Sequence, residues 1–160
     1  GKLSGRPDYL ITEAVSAEGD LQQITHSQRP GAAGPALPLP TEAERRRLAL
    51  AVADLFRLLA ARRVRHPDMK PSNVLVARTA AGMRLWLVDL SRVRFGADWR
   101  RRHWVHYLAQ CNSGLGPQVT SLDRMRCLRR CGQGRWTPQE RLQVARLVLR
   151  ASLTRSPQWR

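Results

Sequence analysis

Apolar residues at helical spacing run through the middle of the chain and predict a long amphipathic helix over residues 41–61. Four large aliphatic side chains share its inner face: Leu48, Val52, Leu55 and Leu59. A spacing of three and four residues is the period of one helix face. Thr41 and Glu44 form a capping-box pair that predicts the start of the helix. Burying each aliphatic contributes about 2 kcal/mol, so we expect this helix at the centre of the core, with Leu58 widening its apolar face and Arg45 exposed.

Two short apolar runs further along the chain predict a β-hairpin. Residues 74–76 and 85–88 are rich in valine and leucine, and the stretch 77–84 between them is more polar. This connection is too short for a crossover, so the two strands should be antiparallel neighbours. Asn73 comes directly before the first strand and Asp89 directly after the second. Both side chains should therefore emerge at the same edge of the hairpin.

The rest of the pattern predicts helices on either side of this hairpin and one long loop. A short helix is expected over residues 17–26, and residues 28–40, which are rich in proline and glycine, should form a surface loop. Three more helices are expected over residues 97–111, about 120–132 and 137–153. Their predicted inward residues are Trp99, Trp104, Leu108, Met125, Leu128, Leu142, Ala145, Leu149 and Leu153. This order predicts an α+β fold that is mostly helical.

A chemically distinctive stretch connects the long helix to the hairpin. It runs from His66 to Asn73 and reads His-x-Asp-x-Lys-x-x-Asn, and Asp89 then follows the second strand. This spacing is the phosphoryl-transfer signature of the protein-kinase-like fold. The Asp68 carboxylate would meet the acceptor hydroxyl, and the Lys70 ammonium would offset the charge of the transferred phosphoryl group. Asn73 and Asp89 would supply the oxygen ligands that Mg²⁺ prefers.

Each of these residues also has a plain structural interpretation. Asp68 would shape a turn next to a proline, and Lys70 would be a solvated lysine. Asn73 and Asp89 would cap local turns. We assign His66 no acid–base role, and expect it to pack beneath the loop and to hydrogen-bond the backbone near Asp89.

Length and charge narrow the functional classes. A chain of 160 residues can build one core but is too short for a two-lobed kinase. Its net charge of +16 predicts attraction to polyanions, which include nucleic acid, an anionic membrane and a phosphorylated glycolipid. Three sparse cysteines are typical of a reduced, cytosolic chain. Since no apolar run reaches the ~20 residues of a membrane span and no cleavable signal is evident, any membrane contact should be made from the surface.

Four stretches of the chain resemble the lipopolysaccharide core kinase family, which phosphorylates heptose or Kdo sugars of the inner core with ATP. They cover residues 9–13, residues 66–76, residues 87–94, and residues 108–113 with 121–129. The resemblance implies ATP and Mg²⁺ as cofactors and Asp68 and Lys70 as catalytic residues. It implies cofactor binding by Lys70, Asn73 and Asp89, and by Glu13 in the segment that matches the hinge, with Asn73 and Asp89 as the metal ligands.

The same resemblance implies a domain organisation. Residues 1–16 would form the end of a small lobe and the hinge, and residues 17–160 the kinase-like large lobe with its short catalytic hairpin. The Gly-rich nucleotide loop and the small-lobe lysine are not visible, so we expect the small lobe to be absent or truncated. Pro67 and Leu90 depart from the residues that family members usually carry beside the two aspartates.

The function expected from the resemblance is ATP-dependent transfer of phosphate to a sugar hydroxyl of the lipopolysaccharide core. The enzyme would be cytoplasmic and peripheral to the inner membrane, with the core glycolipid and the anionic membrane surface as partners. Two alternatives remain open: a catalytically incompetent kinase-like remnant or scaffold, and a basic nucleic-acid-binding module. No specific nucleic acid is expected, because aromatic residues do not alternate with the basic runs. A protein kinase is disfavoured because no Ala-Pro-Glu triplet follows Asp89.

Overall fold

The computed structural model describes residues 15–26, 41–80 and 82–155, and in these ranges the protein is helix-rich with one small antiparallel sheet. The segment 9–13 that resembles a hinge, with Glu13, and the loop 28–40 lie outside the described residues. The strands are β1 (Gly19–Asp20), β2 (Val74–Thr79) and β3 (Gly82–Leu87). The helices are α1 (Leu21–Thr25), α2 (Glu42–Ala61), α3 (Arg101–Ser113), α4 (Ser121–Cys131) and α5 (Pro138–Arg155).

The long helix α2 forms as its sequence predicts and lies at the centre of the core. The Thr41 hydroxyl accepts a hydrogen bond from the Glu44 N–H at 3.2 Å, and the Glu44 carboxylate accepts one from the Thr41 N–H at 2.7 Å. The buried residues of α2 are Leu48, Val52, Ala53, Phe56 and Leu59. Two expectations were wrong: Leu58 is 53% exposed, and Arg45 is not a solvated arginine, because its guanidinium pairs with Asp123 at 3.4 Å.

The predicted hairpin is confirmed, and it carries a third strand that the sequence pattern did not indicate. In the β2–β3 ladder Val74 pairs with Leu87, and Val76 pairs with Leu85. The two valines are buried, and β3 packs against α2. The short strand β1 adds to the other edge of β2, although residues 17–26 were expected to be helical from their start. The helix there is restricted to α1, which follows directly after β1.

Helix α4 packs beside α2 and buries a carboxylate. Thr120 caps its N-terminus, and its hydroxyl donates to Asp123 at 2.7 Å. Burial works to raise the pKa of the Asp123 carboxyl, but the hydrogen bonds from Thr120 and Arg126 and the charge of Arg45 outweigh it, so this pKa lies below its ordinary value. Leu128 is buried as expected, whereas Met125 is 46% exposed, which contradicts its predicted inward position.

The C-terminal helix α5 packs against α3 through a different face from the one expected. Leu142 and Leu149 were predicted to be buried but are 50% and 56% exposed. The buried residues are Val144 and Ser152. The Ser152 hydroxyl accepts a hydrogen bond from the Asn112 side chain on α3 at 2.9 Å and donates one to the Val148 carbonyl at 2.7 Å. A serine can be buried here because both functions of its hydroxyl are satisfied. No helix within the described ranges combines the length and the apolarity that crossing a bilayer requires.

Candidate active site

The chain enters the candidate site through a sharp turn at the end of α2. Arg63 takes a left-handed conformation with φ 56°, which ends the helix. Arg65 then pairs in an isolated antiparallel bridge with Arg94, through hydrogen bonds of 2.8 and 2.9 Å. This bridge fixes the direction in which the loop from His66 to Lys70 approaches the hairpin.

His66 anchors this loop from beneath. Its side chain is 1% exposed. Nδ1 lies 3.2 Å from the backbone N–H of Asp68 and accepts its hydrogen bond, so the ring proton lies on Nε2, which donates to the Val88 carbonyl at 2.9 Å. The expectation that His66 hydrogen-bonds the backbone near Asp89 is confirmed, because Val88 is the residue directly before it.

Three of the predicted site residues meet in one cluster of polar atoms. The Lys70 ammonium donates to Asp68 Oδ2 at 2.8 Å. The Asn73 amide donates to the Asp68 carbonyl at 2.9 Å and lies 3.3 Å from Asp68 Oδ2. The Asp68 side chain keeps 33% of its surface exposed and that of Lys70 keeps 61%. The carboxylate is therefore held in place by two donors while remaining open to an incoming molecule.

The hairpin brings Asn73 and the start of the Asp89 turn to one edge. Asn73 ends a short 3-10 helix, Pro71–Asn73, and its carbonyl accepts the N–H of Val88 at 3.0 Å. Asp89 comes next, in the left-handed conformation with φ 57° and ψ 57°. A non-glycine residue in this region carries backbone strain of about 1–3 kcal/mol, and such strain concentrates at functional sites. The Ser91 hydroxyl donates to Asp89 Oδ1 at 3.0 Å.

A residue of α3 that sequence reasoning did not single out holds the loop from its other side. The Gln110 amide donates to the Pro67 carbonyl at 3.0 Å, and its oxygen accepts the Met69 N–H at 3.3 Å. Met69 itself is fully buried. The sequence feature that could have identified Gln110 is its polar amide between the apolar residues of α3. Gln110 acts by satisfying two backbone groups of the loop, so it positions Asp68 without approaching it.

The oxygen atoms at this edge have the chemistry that Mg²⁺ requires. Asp89 and Asn73 offer hard oxygen donors, and the amide nitrogen of Asn73 is hydrogen-bonded to Asp68. Magnesium is commonly held in proteins by one or two carboxylates and completes its shell with water and substrate phosphates. Within the described ranges there is no group of three or more histidine, cysteine, aspartate or glutamate residues suited to a metal. Two donor residues would leave the remaining positions of an octahedral Mg²⁺ shell to water and substrate phosphates.

Comparison with known proteins concerns the family and the fold of the chain. A model of the lipopolysaccharide kinase (Kdo/WaaP) family matches residues 3–129. Among solved structures, "WaaP in complex with acyl carrier protein" superposes with a TM-score of 0.63 at 22% sequence identity, and the match covers 85% of this chain but 56% of that chain. At this identity the likeness concerns the fold. A search of curated proteins finds no match. The family match spans most of the sequence, and the chain therefore belongs to the lipopolysaccharide kinase (Kdo/WaaP) family.

Proposed function

We propose that the protein, as part of a complete enzyme, transfers the γ-phosphate of ATP to a sugar hydroxyl of the lipopolysaccharide core. The observation that carries this proposal is the cluster of Asp68, Lys70 and Asn73 at the same hairpin edge as Asp89. Family membership supports kinase chemistry, and the spacing of the four residues supports their individual roles. The chain spans 56% of the solved neighbour's length.

Asp68 is the proposed catalytic base. Its Oδ2 is fixed by Lys70 and Asn73, and a third of the side chain faces solvent. The acceptor hydroxyl would approach this carboxylate and give up its proton to it. The hydroxyl oxygen would then form the new bond to the γ-phosphorus as the bond to the ADP oxygen breaks. Fixing the carboxylate in advance avoids the cost of ordering it in the transition state.

Lys70 and the two oxygen donors are proposed to stabilise charge around the transferred group. The Lys70 ammonium, 2.8 Å from the base, would lie next to the phosphoryl oxygens on which negative charge builds. Asn73 and Asp89 would hold Mg²⁺, which when bound neutralises phosphate charge and aligns the leaving group. Glu13, outside the described residues, is proposed to contribute to nucleotide binding from the segment that resembles a hinge.

The acceptor class follows from family membership and charge. A net charge of +16 suits a glycolipid acceptor that carries phosphates and carboxylates at an anionic membrane surface. Arg92 and Arg94 follow Asp89 directly and are exposed, so they are proposed to attract such anionic groups toward the catalytic loop. The proposed location is the cytoplasmic face of the inner membrane.

The test is transfer of radiolabelled γ-phosphate from ATP to purified core lipopolysaccharide by the complete enzyme. Asp68→Asn keeps the size of the side chain but removes its basicity, so transfer should fall by about 10²–10⁴-fold. Asp54→Asn is the matched control, because Asp54 is a half-exposed aspartate of α2 that pairs with Arg130. Undiminished transfer in Asp68→Asn would refute the assignment of the base.

A non-catalytic scaffold is the second candidate, and one observation favours it. The chain spans 56% of the solved neighbour's length, and a Gly-rich nucleotide loop is not evident in its sequence. Against this candidate, a scaffold would require neither the Asp68–Lys70 pair nor the left-handed backbone of Asp89. If the complete protein fails to transfer label while binding core lipopolysaccharide, the scaffold function replaces the kinase.

A further inference from the structure

An exposed aromatic side chain projects from the loop that follows the catalytic hairpin. Phe95 is 78% exposed, the highest exposure among the large apolar residues of the described ranges. Gly96, next to it, has φ +73°, and a Cβ atom built there would have no neighbour within 4 Å. The tip Phe95–Gly96 therefore protrudes from the body of the protein instead of packing on it.

Backbone hydrogen bonds fix the residues on both sides of this tip. Before it, Arg94 forms the two-bond bridge with Arg65. After it, the Ala97 N–H donates to the Arg63 carbonyl at 3.1 Å. The Trp99 indole N–H then donates to the Val64 carbonyl at 2.8 Å. The chain is thus hydrogen-bonded to residues 63–65 on each side of the tip, and these bonds fix the position from which Phe95 projects.

The exposed ring of Phe95 leaves a large apolar surface in contact with water. Removing such a surface from water is favourable. The rings nearest in sequence show the alternative, because Trp99 packs against Trp104 with centroids 4.8 Å apart and against Phe56 at 6.2 Å. The fixed loop keeps Phe95 out of this aromatic cluster, so the ring is available to an external partner.

The charges around the tip indicate which partner this is. Arg92 and Arg94 precede Phe95 and are exposed, and no carboxylate within the described ranges is paired with either guanidinium. Arg100, Arg101 and Arg102 follow at the start of α3, also exposed. A single protruding aromatic ring flanked by arginines fits a soft anionic interface, where the ring enters the headgroup region and the guanidinium groups meet lipid phosphates.

We propose that Phe95 inserts into an anionic phospholipid bilayer, with Arg92 and Arg94 on its phosphates, and thereby holds the catalytic loop at the membrane surface. The inference rests on the proposed function, since it explains how the site meets a lipid-linked sugar. Arg65, which anchors the tip, lies three residues before Asp68. Three residues span at most about 10 Å, so a bilayer that engages Phe95 also comes within reach of the proposed base.

The experiment is co-sedimentation of the full chain with vesicles of phosphatidylcholine, either pure or with 30% phosphatidylglycerol, in the absence of ATP. Phe95→Ser should weaken binding to the anionic vesicles about tenfold. The double variant Arg92→Gln/Arg94→Gln should weaken it about 25-fold, because each arginine near an anionic surface contributes to attraction. Leu122→Ser is the matched control: Leu122 is 56% exposed in the first turn of α4. The first turn of α4 lies beside the start of α2, and the tip lies beyond the end of α2. Because α2 is about 30 Å long, Leu122 is far from the tip.

Binding that requires phosphatidylglycerol, falls in both tip variants and is unchanged in Leu122→Ser supports the inference. Equal binding by Phe95→Ser and the parent chain overturns it, and so does equal binding to neutral vesicles. Failure to bind vesicles, combined with Phe95-dependent binding to an acidic protein such as acyl carrier protein, overturns it in favour of a protein partner. Asp68→Asn should bind vesicles like the parent chain, so failure of the proposed catalysis is distinguishable from failure of this inference. Circular dichroism of each variant confirms that the fold is retained.

Discussion

Replacing His66 by phenylalanine should loosen the catalytic loop from the strand that leads to Asp89. The imidazole is 1% exposed and joins the two segments, since Nδ1 accepts the Asp68 N–H and Nε2 donates to the Val88 carbonyl. Phenylalanine has a similar shape, so it fills the space that the imidazole ring occupies without supplying either hydrogen bond. The substitution therefore isolates the polar contribution of His66.

The expected loss of stability follows from these two hydrogen bonds. Each contributes about 1 kcal/mol net, and leaving a buried partner unsatisfied costs up to about 1–3 kcal/mol more. Both partners are only partly buried, at 3.2 and 2.9 Å from the ring. We therefore expect His66→Phe to lower the free energy of unfolding by about 2–3 kcal/mol.

Urea unfolding followed by circular dichroism measures this loss. With a typical m value of about 2 kcal/mol/M, the midpoint should fall by about 1–1.5 M. His106→Phe is the matched control, because His106 is an exposed histidine of α3 that contacts the Arg155 side chain. This control should stay within about 0.5 kcal/mol of the parent chain. If the stability of His66→Phe also stays within this limit, the imidazole does not hold the loop.

Two further substitutions test the packing around the site, each by urea unfolding. Gly116→Ala would place a Cβ atom 1.8 Å from the Thr25 carbonyl oxygen, so it should cost at least about 3 kcal/mol. Asp123→Asn removes a buried charge that Thr120 and Arg126 hydrogen-bond, and should cost about 3 kcal/mol at neutral pH. Because the folded pKa of Asp123 is depressed, its contribution is fully present above the unfolded value near 3.8 and is lost as the pH falls through the folded pKa.

A control variant for Gly116→Ala and a pH series for Asp123→Asn show whether the stated causes are correct. Gly134→Ala is the control for Gly116→Ala, because Gly134 has φ +70° and nothing within 4 Å of an added Cβ. Gly134→Ala should lower the free energy of unfolding by only the ~1–2 kcal/mol that a left-handed backbone costs. Equal losses in both variants would show that steric contact with Thr25 does not cause the destabilisation of Gly116→Ala. For Asp123, a stability difference between the parent chain and Asp123→Asn that persists unchanged well below pH 3 would contradict the depressed pKa.

The parts of the fold that the sequence predicted are those fixed by local interactions. The capping pair Thr41 and Glu44 acts across three residues, so the start of α2 could be placed from the sequence. The His66 contact could also be anticipated, because the spacing from the loop to the strand before Asp89 leaves one short hairpin between them. In these regions local pattern and tertiary structure agree, which is the condition under which sequence reasoning works.

The sequence predictions were wrong where contacts between residues distant in sequence determine which side chains are buried or paired. On α5, leucines occur on several sides, so the pattern did not identify the buried face. Ser152 is buried because Asn112 on another helix satisfies its hydroxyl. Arg45 is drawn from solvent by Asp123, 78 residues away in sequence. Gly19 pairs with Val76 in the sheet, which no property of residues 17–26 indicates.

In the candidate site, too, the features set by local sequence were predicted and those set by tertiary contacts were missed. The spacing of Asp68, Lys70 and Asn73 placed them in one loop. In the structure the side-chain nitrogens of Lys70 and Asn73 lie within 3.3 Å of Asp68 Oδ2. Gln110 was missed, because its role depends on α3 packing against the loop. The left-handed backbone of Asp89 was missed as well, since its strain comes from the surrounding structure and not from the residue itself.

Asn73 and Asp89 are proposed to act as one metal site next to Asp68, and Mn²⁺ binding in the presence of ATP measures whether they do. Electron paramagnetic resonance of the complete enzyme measures free Mn²⁺, which substitutes for Mg²⁺, without requiring turnover. Asp89→Ala and Asn73→Ala should each weaken Mn²⁺·ATP binding at least about tenfold, whereas Asp54→Ala on α2 should have no effect. Unchanged Mn²⁺·ATP binding in Asp89→Ala would contradict the proposed metal site.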